Sequence, residues 1–332
     1  MKLKTILFLL LGSLMFAQEN IEFSGYGATG FIIYNRNRLK KFNQEVYYEG
    51  KLQADVKINK DIEAQVDMRG SSEDGKVTFR EFSAKFEYWK HMKIKVGNIK
   101  KPFGLEQLVN KEELISIDRS YIQRTISDLG YGGRSVSVMA YYNYKKKDPE
   151  FPYSYFFSVM KDNSQNNGIA GRFSYHNNDF VYSANYMYLN KGGEIPFNSH
   201  AFSADAGIET DNYSLNLEVL YVQDPVEGIR RKQIGIDDKI FLSGAKINSS
   251  IAFEIGGDVV KKIEPSLLLG FFAPNSKEMK YHTLEAMGGV NVYFDKDARL
   301  RLFGDGLFTK YIYNDEYTTI GSRFILEMQI FF

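Results

Sequence analysis

The C-terminal strand constrains the fold more than any other stretch of the chain. Phe324, Leu326, Met328, Ile330 and Phe332 fall on one side of an extended backbone; Arg323, Glu327 and Gln329 fall on the other, and Ile325 and Phe331 break the pattern. Residues two apart share a face of a β-strand, so this is a strand of about ten residues with one apolar and one polar side. Alternation that runs into a terminal aromatic suits a strand with hydrocarbon on one side and a wet interior on the other.

The opposite end agrees. Lys2 and Lys4 precede an apolar run from Ile6 to Phe16, and the small Ala17 stands before Gln18. That is the layout of a secretory leader, and a run of about eleven residues is too short to anchor in a bilayer. Residues 1–17 are expected to be a signal peptide and 18–332 a single transmembrane β-barrel domain. No other long apolar run follows, which excludes a helical membrane protein. Aromatic residues make up 15% of the chain, 23 Tyr and 26 Phe among them, as interfacial girdles at strand ends require. The absence of cysteine excludes a disulfide-stapled domain. The formal charge of +1 falls to about −1 without Lys2 and Lys4, so charge gives no reason to expect a nucleic-acid partner.

Period-two alternation recurs throughout. Leu52, Ala54, Val56 and Ile58 alternate with Lys51, Gln53, Asp55 and Lys57; Ile62, Ala64, Val66 and Met68 with Glu63, Gln65, Asp67 and Arg69; Phe82, Ala84 and Phe86 with Glu81, Ser83, Lys85 and Glu87. The pattern predicts an all-β, antiparallel transmembrane barrel of about sixteen strands, with fourteen or eighteen as alternatives. The strands fall near 20–34, 45–58, 62–70, 77–89, 91–98, 134–144, 152–161, 168–176, 179–189, 199–209, 212–222, 249–259, 263–272, 282–294, 298–312 and 318–332. Connections alternate between short turns and longer loops, and an even strand count puts both chain ends on the periplasmic side.

The third long connection, 98–133, carries Phe103, Leu105, Leu108, Leu114, Ile115 and Ile117 and is too apolar for a free surface tip. Inside a barrel it can pack on the inner wall, with Phe103, Leu105 and Ile117 as anchors, and narrow the pore. The stretch Gly97-Asn98-Ile99-Lys100-Lys101-Pro102-Phe103-Gly104-Leu105-Glu106-Gln107, then Asp118-Arg119-Ser120, then Gly133-Arg134 resembles the phosphate-selective porin family of the porin O and porin P type. Lys261-Lys262-Ile263-Glu264-Pro265 also resembles that family's turn before a late strand. The resemblance implies a trimeric, sixteen-stranded outer-membrane porin with anions passing inward-facing Arg and Lys side chains. Arg119 and Arg134 match the motif and carry over as pore-lining candidates. Between 98 and 134, however, six basic residues meet five acidic ones.

Around the motif, Lys100, Lys101 and Arg124 join Arg119 and Arg134 as candidates to guide anions. Lys93, Lys95, Arg299 and Arg301 face the lumen by parity near short turns and could raise the local anion concentration; alternatively they are solvated and paired with Glu63, Asp67, Glu87 or Asp305. The four histidines, His91, His176, His200 and His282, show no metal-ligand spacing, and no nucleophile–base arrangement suggests an enzyme. No metal or cofactor is expected. The expected partners are small anionic or hydrophilic solutes, outer-membrane lipid, the barrel-assembly machinery (reading Phe324, Leu326, Met328, Ile330 and Phe332 as its signal) and two further copies of the chain. The expected location is the outer membrane of a Gram-negative bacterium. The competing expectation is a barrel with a plugged lumen and a binding or structural role.

Overall fold

The computed structural model describes residues 20–36, 42–73, 75–145, 150–161, 166–192, 195–236, 238–310 and 317–332. The expected leader, and Lys146 and Lys147 of a basic turn, lie outside them. Sixteen strands follow one another among the described residues: β1 (Ile21–Arg36), β2 (Asn43–Asn59), β3 (Ile62–Ser71), β4 (Lys76–Trp89), β5 (Met92–Lys100), β6 (Arg134–Tyr142), β7 (Tyr153–Lys161), β8 (Asn167–Asn177), β9 (Phe180–Lys191), β10 (Phe197–Glu209), β11 (Tyr213–Gln223), β12 (Phe241–Ile251), β13 (Lys262–Ala273), β14 (Thr283–Asp295), β15 (Ala298–Lys310) and β16 (Tyr317–Phe331). After Ala252, β12 resumes for Phe253–Glu254, and both parts pair with β13.

Each strand pairs antiparallel with the next, and β16 returns to β1. The closing seam runs to the last residue. Gly25 N–H donates to the Phe332 carbonyl at 2.9 Å, and Phe332 N–H to the Gly25 carbonyl at 3.1 Å. Closure is obligatory in hydrocarbon, where each unpaired backbone group costs several kcal/mol. The outer face is apolar, as alternation requires: Leu217, Val219, Leu267, Leu302, Phe324, Leu326 and Ile330 are all exposed, while Glu327 and Gln329 point inward and are buried.

Fifteen strands lie within a few residues of their expected bounds, and one does not. Alternation placed a strand at 249–259 after an irregular 223–248; the strand occupies Phe241–Ile251, and helix α3 (Pro225–Gln233) precedes it. The inward positions Leu242, Gly244 and Lys246 alternate with Ser243 and Ala245, so small residues erase the polarity contrast. The helix start is conventional: Asp224 accepts from the Val226 and Glu227 N–H groups, each at 2.9 Å, with Pro225 in the first turn.

Candidate functional site: the passage beside the 101–133 segment

The connection between β5 and β6 folds into a one-turn helix α1 (Leu105–Leu108), a 3₁₀ turn at Lys111–Glu113 and helix α2 (Tyr121–Asp128). Gly104 turns the chain into α1 with φ of +82°, and a Cβ there would lie 2.9 Å from Gln123 Oε1. Conformation and crowding both demand glycine in the Pro-Phe-Gly motif. Ser120 caps α2, its Oγ accepting from Gln123 N–H at 3.3 Å.

Two apolar clusters hold this segment. Phe103, Ile122, Ile126 and Tyr131 pack with Met160, Met187, Leu189, Leu220, Val222 and Leu242 on β7, β9, β11 and β12. Ile117 packs with Tyr47, Leu268, Met287, Phe303 and Ile325 on β2 and β13–β16. These strands lie on different sides of the closed ring and touch the segment with the face opposite the exposed apolar one, so the segment lies within the lumen. Each side chain fully buried this way contributes about 1.5–3 kcal/mol. The cluster also accounts for Ile325, which breaks alternation in β16 because the loop covers it. Leu105 is only half-buried, beside Glu106, Glu113 and Glu218 in a separate cavity of about 220 Å³.

Polar pins complete the attachment. The Arg301 guanidinium donates to the Leu114 carbonyl at 2.9 Å and to the Ser116 carbonyl, and pairs with Glu327. Arg299 donates to the Glu112 carbonyl and to Gln329 Oε1. Asn291 donates to the Ile115 carbonyl at 3.0 Å, and Glu285 accepts from Tyr121 N–H at 2.7 Å. Past the closing seam, Glu112 pairs with Lys51 at 2.8 Å and Arg69 at 2.7 Å, and Lys111 with Glu49 at 2.8 Å. The segment therefore bridges the lumen from β7–β12, where Phe103 packs, to β2–β3. Burial alone raises the carboxyls of Glu112 and Asp118, but Lys51 and Arg69 at the first, and Arg124 and Arg323 at the second, more than offset it and hold both below the usual carboxylate range.

The open space lies along β2–β6. A cavity of about 310 Å³, nearer the β3–β4 connection, is lined by five basic residues (Arg69, Lys76, Arg80, Lys111, Arg119) and three acidic ones (Glu49, Glu73, Asp118). A second cavity of about 290 Å³, nearer the chain ends, is lined by Lys51, Lys95, Lys100 and Arg134 against Asp67 and Glu81. The two adjoin along β3 and β4, where Arg134 pairs with Asp67 at 3.4 Å and Glu81 at 3.5 Å. Three cations on this path have no carboxylate partner among the described residues. Lys100 donates to the Leu108 carbonyl at 3.0 Å and Asn110 Oδ1 at 2.6 Å. Arg119 donates to the Val109 carbonyl at 2.8 Å. Arg80 is exposed and makes no ion pair among the described residues.

Arg80 enters the lumen through a β-bulge. Asp67 stands opposite Glu81 and Met68 opposite Phe79, so Arg80 is the extra residue. Phe79 and Phe82 both remain on the exposed apolar face. A bulge re-aims a side chain in this way; strict alternation from Phe82 would have sent Arg80 into lipid, at about 2–4 kcal/mol near the bilayer midplane.

The expected site residues thus separate into groups. Lys95, Lys100, Arg119 and Arg134 border the passage. Lys93 pairs with Glu87, and Lys95 with Glu81. Arg124 pairs with Asp118 and Glu285 and borders a different cavity with Arg323. Lys101, 4% exposed, donates to the Gly130 carbonyl at 2.7 Å; Arg299 and Arg301, 6% and 0% exposed, are spent on loop carbonyls. Sequence reasoning did not single out Lys51, Arg69, Lys76, Arg80 or Lys111. Parity had put Lys51 and Arg69 on the polar face, but nothing marked the opposite wall as occupied.

A closed antiparallel barrel with an apolar outside and a charged interior narrowed by an inserted segment is the architecture of an outer-membrane porin. The model for phosphate-selective porins O and P matches residues 40–212, just over half of the chain, and the protein belongs to that family. It is a Gram-negative outer-membrane porin that lets small hydrophilic solutes diffuse passively. Among solved structures it is similar to the anion-selective porin of Comamonas acidovorans, with TM-score 0.65 and 10% identity over 94% of this chain and 99% of that one. Pseudomonas putida OprB gives TM-score 0.69 and 9% identity over 97% and 96%. The trimer form of Vibrio cholerae OmpT gives 0.60 and 10% over 94% and 100%. No curated protein sequence matches the chain.

Proposed function

We propose that the mature chain, residues 18–332, is an anion-preferring diffusion channel whose filter is the cleft between the 101–133 segment and the β2–β6 wall. The observation that carries this is the trio Arg80, Lys100 and Arg119, whose charges no carboxylate among the described residues neutralises at close range. Paired cations such as Arg134 and Lys95 contribute little net field; unpaired ones in a narrow low-dielectric channel lower the entry barrier for anions. Lys101, Arg299 and Arg301 hold the segment in place, with Phe103 and Ile117 as apolar anchors and Leu105 at their edge. Phosphate-like solutes suit this wall, in keeping with the family description and with the anion-selective porin it resembles. No covalent chemistry is part of this function.

Assembly as a homotrimer is supported by the trimer form of the similar OmpT. The outward row Phe324, Leu326, Met328, Ile330 and Phe332 at the closing seam suits a signal for the assembly machinery.

Reversal potentials in a KCl gradient across planar bilayers test the proposal. The native channel should be anion-selective at 0.1 M salt and less so at 1 M, where the Debye length shrinks from about 10 Å to about 3 Å. Arg80→Glu with Arg119→Glu should move the reversal potential towards cations. An unmoved potential would remove the filter, and an absence of conductance would favour the plugged barrel, to which the wall-to-wall bridging of the lumen lends some support.

A further inference from the structure

Two of the three buried apolar clusters among the described residues include side chains of the 101–133 segment. One group does not. Ile99, Met139 and Tyr141 form a separate cluster, completed by Phe156, that shares no member with the two clusters holding the loop. All four border the cavity of about 290 Å³ nearer the chain ends. Tyr141 and Phe156 are cross-strand neighbours on β6 and β7, with ring centroids 5.9 Å apart and planes within 10° of parallel. They form a parallel aromatic pair on the lumen wall. The Tyr141 hydroxyl makes no hydrogen bond among the described residues.

The rest of the lining is charged and amidic: Lys51, Lys95, Lys100 and Arg134 stand with Asp67 and Glu81, beside Asn110 and Gln65. Resting on the anion path proposed above, we propose that this cavity is a transit site for small organic anions with a flat ring, an aromatic carboxylate being the simplest case. A hydrated inorganic anion gains nothing from such a pair. A ring that covers Tyr141 and Phe156 leaves water on one face while its carboxylate reaches towards Lys100, which meets no carboxylate among the described residues. Removing about 55 Å² of ring surface from water corresponds to about a tenfold gain in occupancy.

The experiment is current block of the purified porin in planar bilayers, with benzoate, acetate and inorganic phosphate as probes in KCl. Benzoate should half-block at about a tenth of the acetate concentration, and below that of phosphate. This comparison needs no variant. In Tyr141→Ser with Phe156→Ser the benzoate-to-acetate ratio should fall to near one. Equal block by benzoate and acetate in the native channel, or a ratio untouched by the double substitution, overturns the organic-anion site while leaving anion preference intact. A native reversal potential on the cation side would instead overturn the anion path itself.

Discussion

Where the inserted segment covers them, β7 to β11 carry Met160, Ala170, Met187, Leu189, Ala201, Leu220 and Val222 on the inward face, whereas further along the same strands that face carries Ser158, Arg172, Asn185, Asp205 and Glu218. Along β2 to β5 the inward positions carry Lys51, Gln53, Gln65, Asp67, Arg69, Glu81 and Lys95. The outer faces of both regions are equally apolar, with Val159, Phe173 and Leu217 on one and Leu52, Phe82 and Val96 on the other. The difference lies wholly inside. A stretch of strand that is apolar on both faces must have lipid outside and something dry inside, and here that is the inserted segment. A stretch that keeps strict alternation faces polar groups, whether water or, as at Arg299 and Arg301, loop carbonyls. Breaks in alternation within these strands therefore map where the apolar side of the inserted loop docks.

The largest effect should come from stripping the dry side. Phe103→Ala with Ile126→Ala removes two fully buried side chains, and a Phe→Ala change alone costs about 3–5 kcal/mol. Strand pairing is untouched, so the heat-resistant folded band should persist in gels. The segment should detach, single-channel conductance should rise, and ion preference should weaken. Unchanged conductance would mean that the apolar wall is not what holds the loop.

A lysine on the outer face separates the two faces of the same strand. Leu326→Lys or Leu217→Lys should cost about 2–4 kcal/mol near the midplane and reduce the folded band. Gln53→Lys, on the wet interior, should leave folding unchanged. Equal losses at both kinds of position would contradict the face assignment.

The same contrast explains what the sequence could disclose. Strand positions follow from alternation because hydrocarbon enforces the outer face everywhere, so fifteen strands are legible. The exception, Phe241–Ile251, hides behind Ser243, Gly244 and Ala245. The docking of Phe103 and Ile117 is legible from loop hydropathy alone. Partner choice among the charges is not. Arg301 looks like a pore-lining cation by parity, but the carbonyls of Leu114 and Ser116 accept hydrogen bonds from it, and those carbonyls come from a segment nearly two hundred residues away. Arg80 was unreadable for another reason: one inserted residue in β4 reverses its face.

Arg301 gives a finer test of the boundary between the two regions. Arg301→Met keeps the volume but leaves the Leu114 and Ser116 carbonyls without their Arg301 donor, at about 1–3 kcal/mol for each unmet group; Glu327 keeps Tyr47 and Gln329 as donors. The 114–116 stretch should loosen without leaving the lumen, since Ile117 keeps its apolar contacts. Current traces should grow noisier at unchanged mean conductance, with reversal potential moving less than in Arg80→Glu. A reversal shift as large as that variant's would make Arg301 a filter residue after all.

Acid should distinguish the two sides by the smallest perturbation. On the wet side the segment is held through Glu112 and Asp118, whose carboxyls lie below their ordinary values in the folded chain. A depressed carboxylate contributes its stabilisation fully above the unfolded value and loses it as pH falls through the folded one. With ordinary values near 4, the Lys51–Glu112–Arg69 and Arg124–Asp118–Arg323 links should survive from pH 7 to pH 5 and give way only below about pH 4. Open-channel noise should therefore stay flat over the first interval and rise over the second. Glu112→Gln should show added noise already at pH 7, because the lysine and arginine lose their counter-charge. Any noise from Phe103→Ala should not depend on pH across the first interval, since its origin is apolar. Noise that begins near pH 6 in the native channel would place the controlling group elsewhere in the lumen and remove Glu112 and Asp118 as the wet-side attachment.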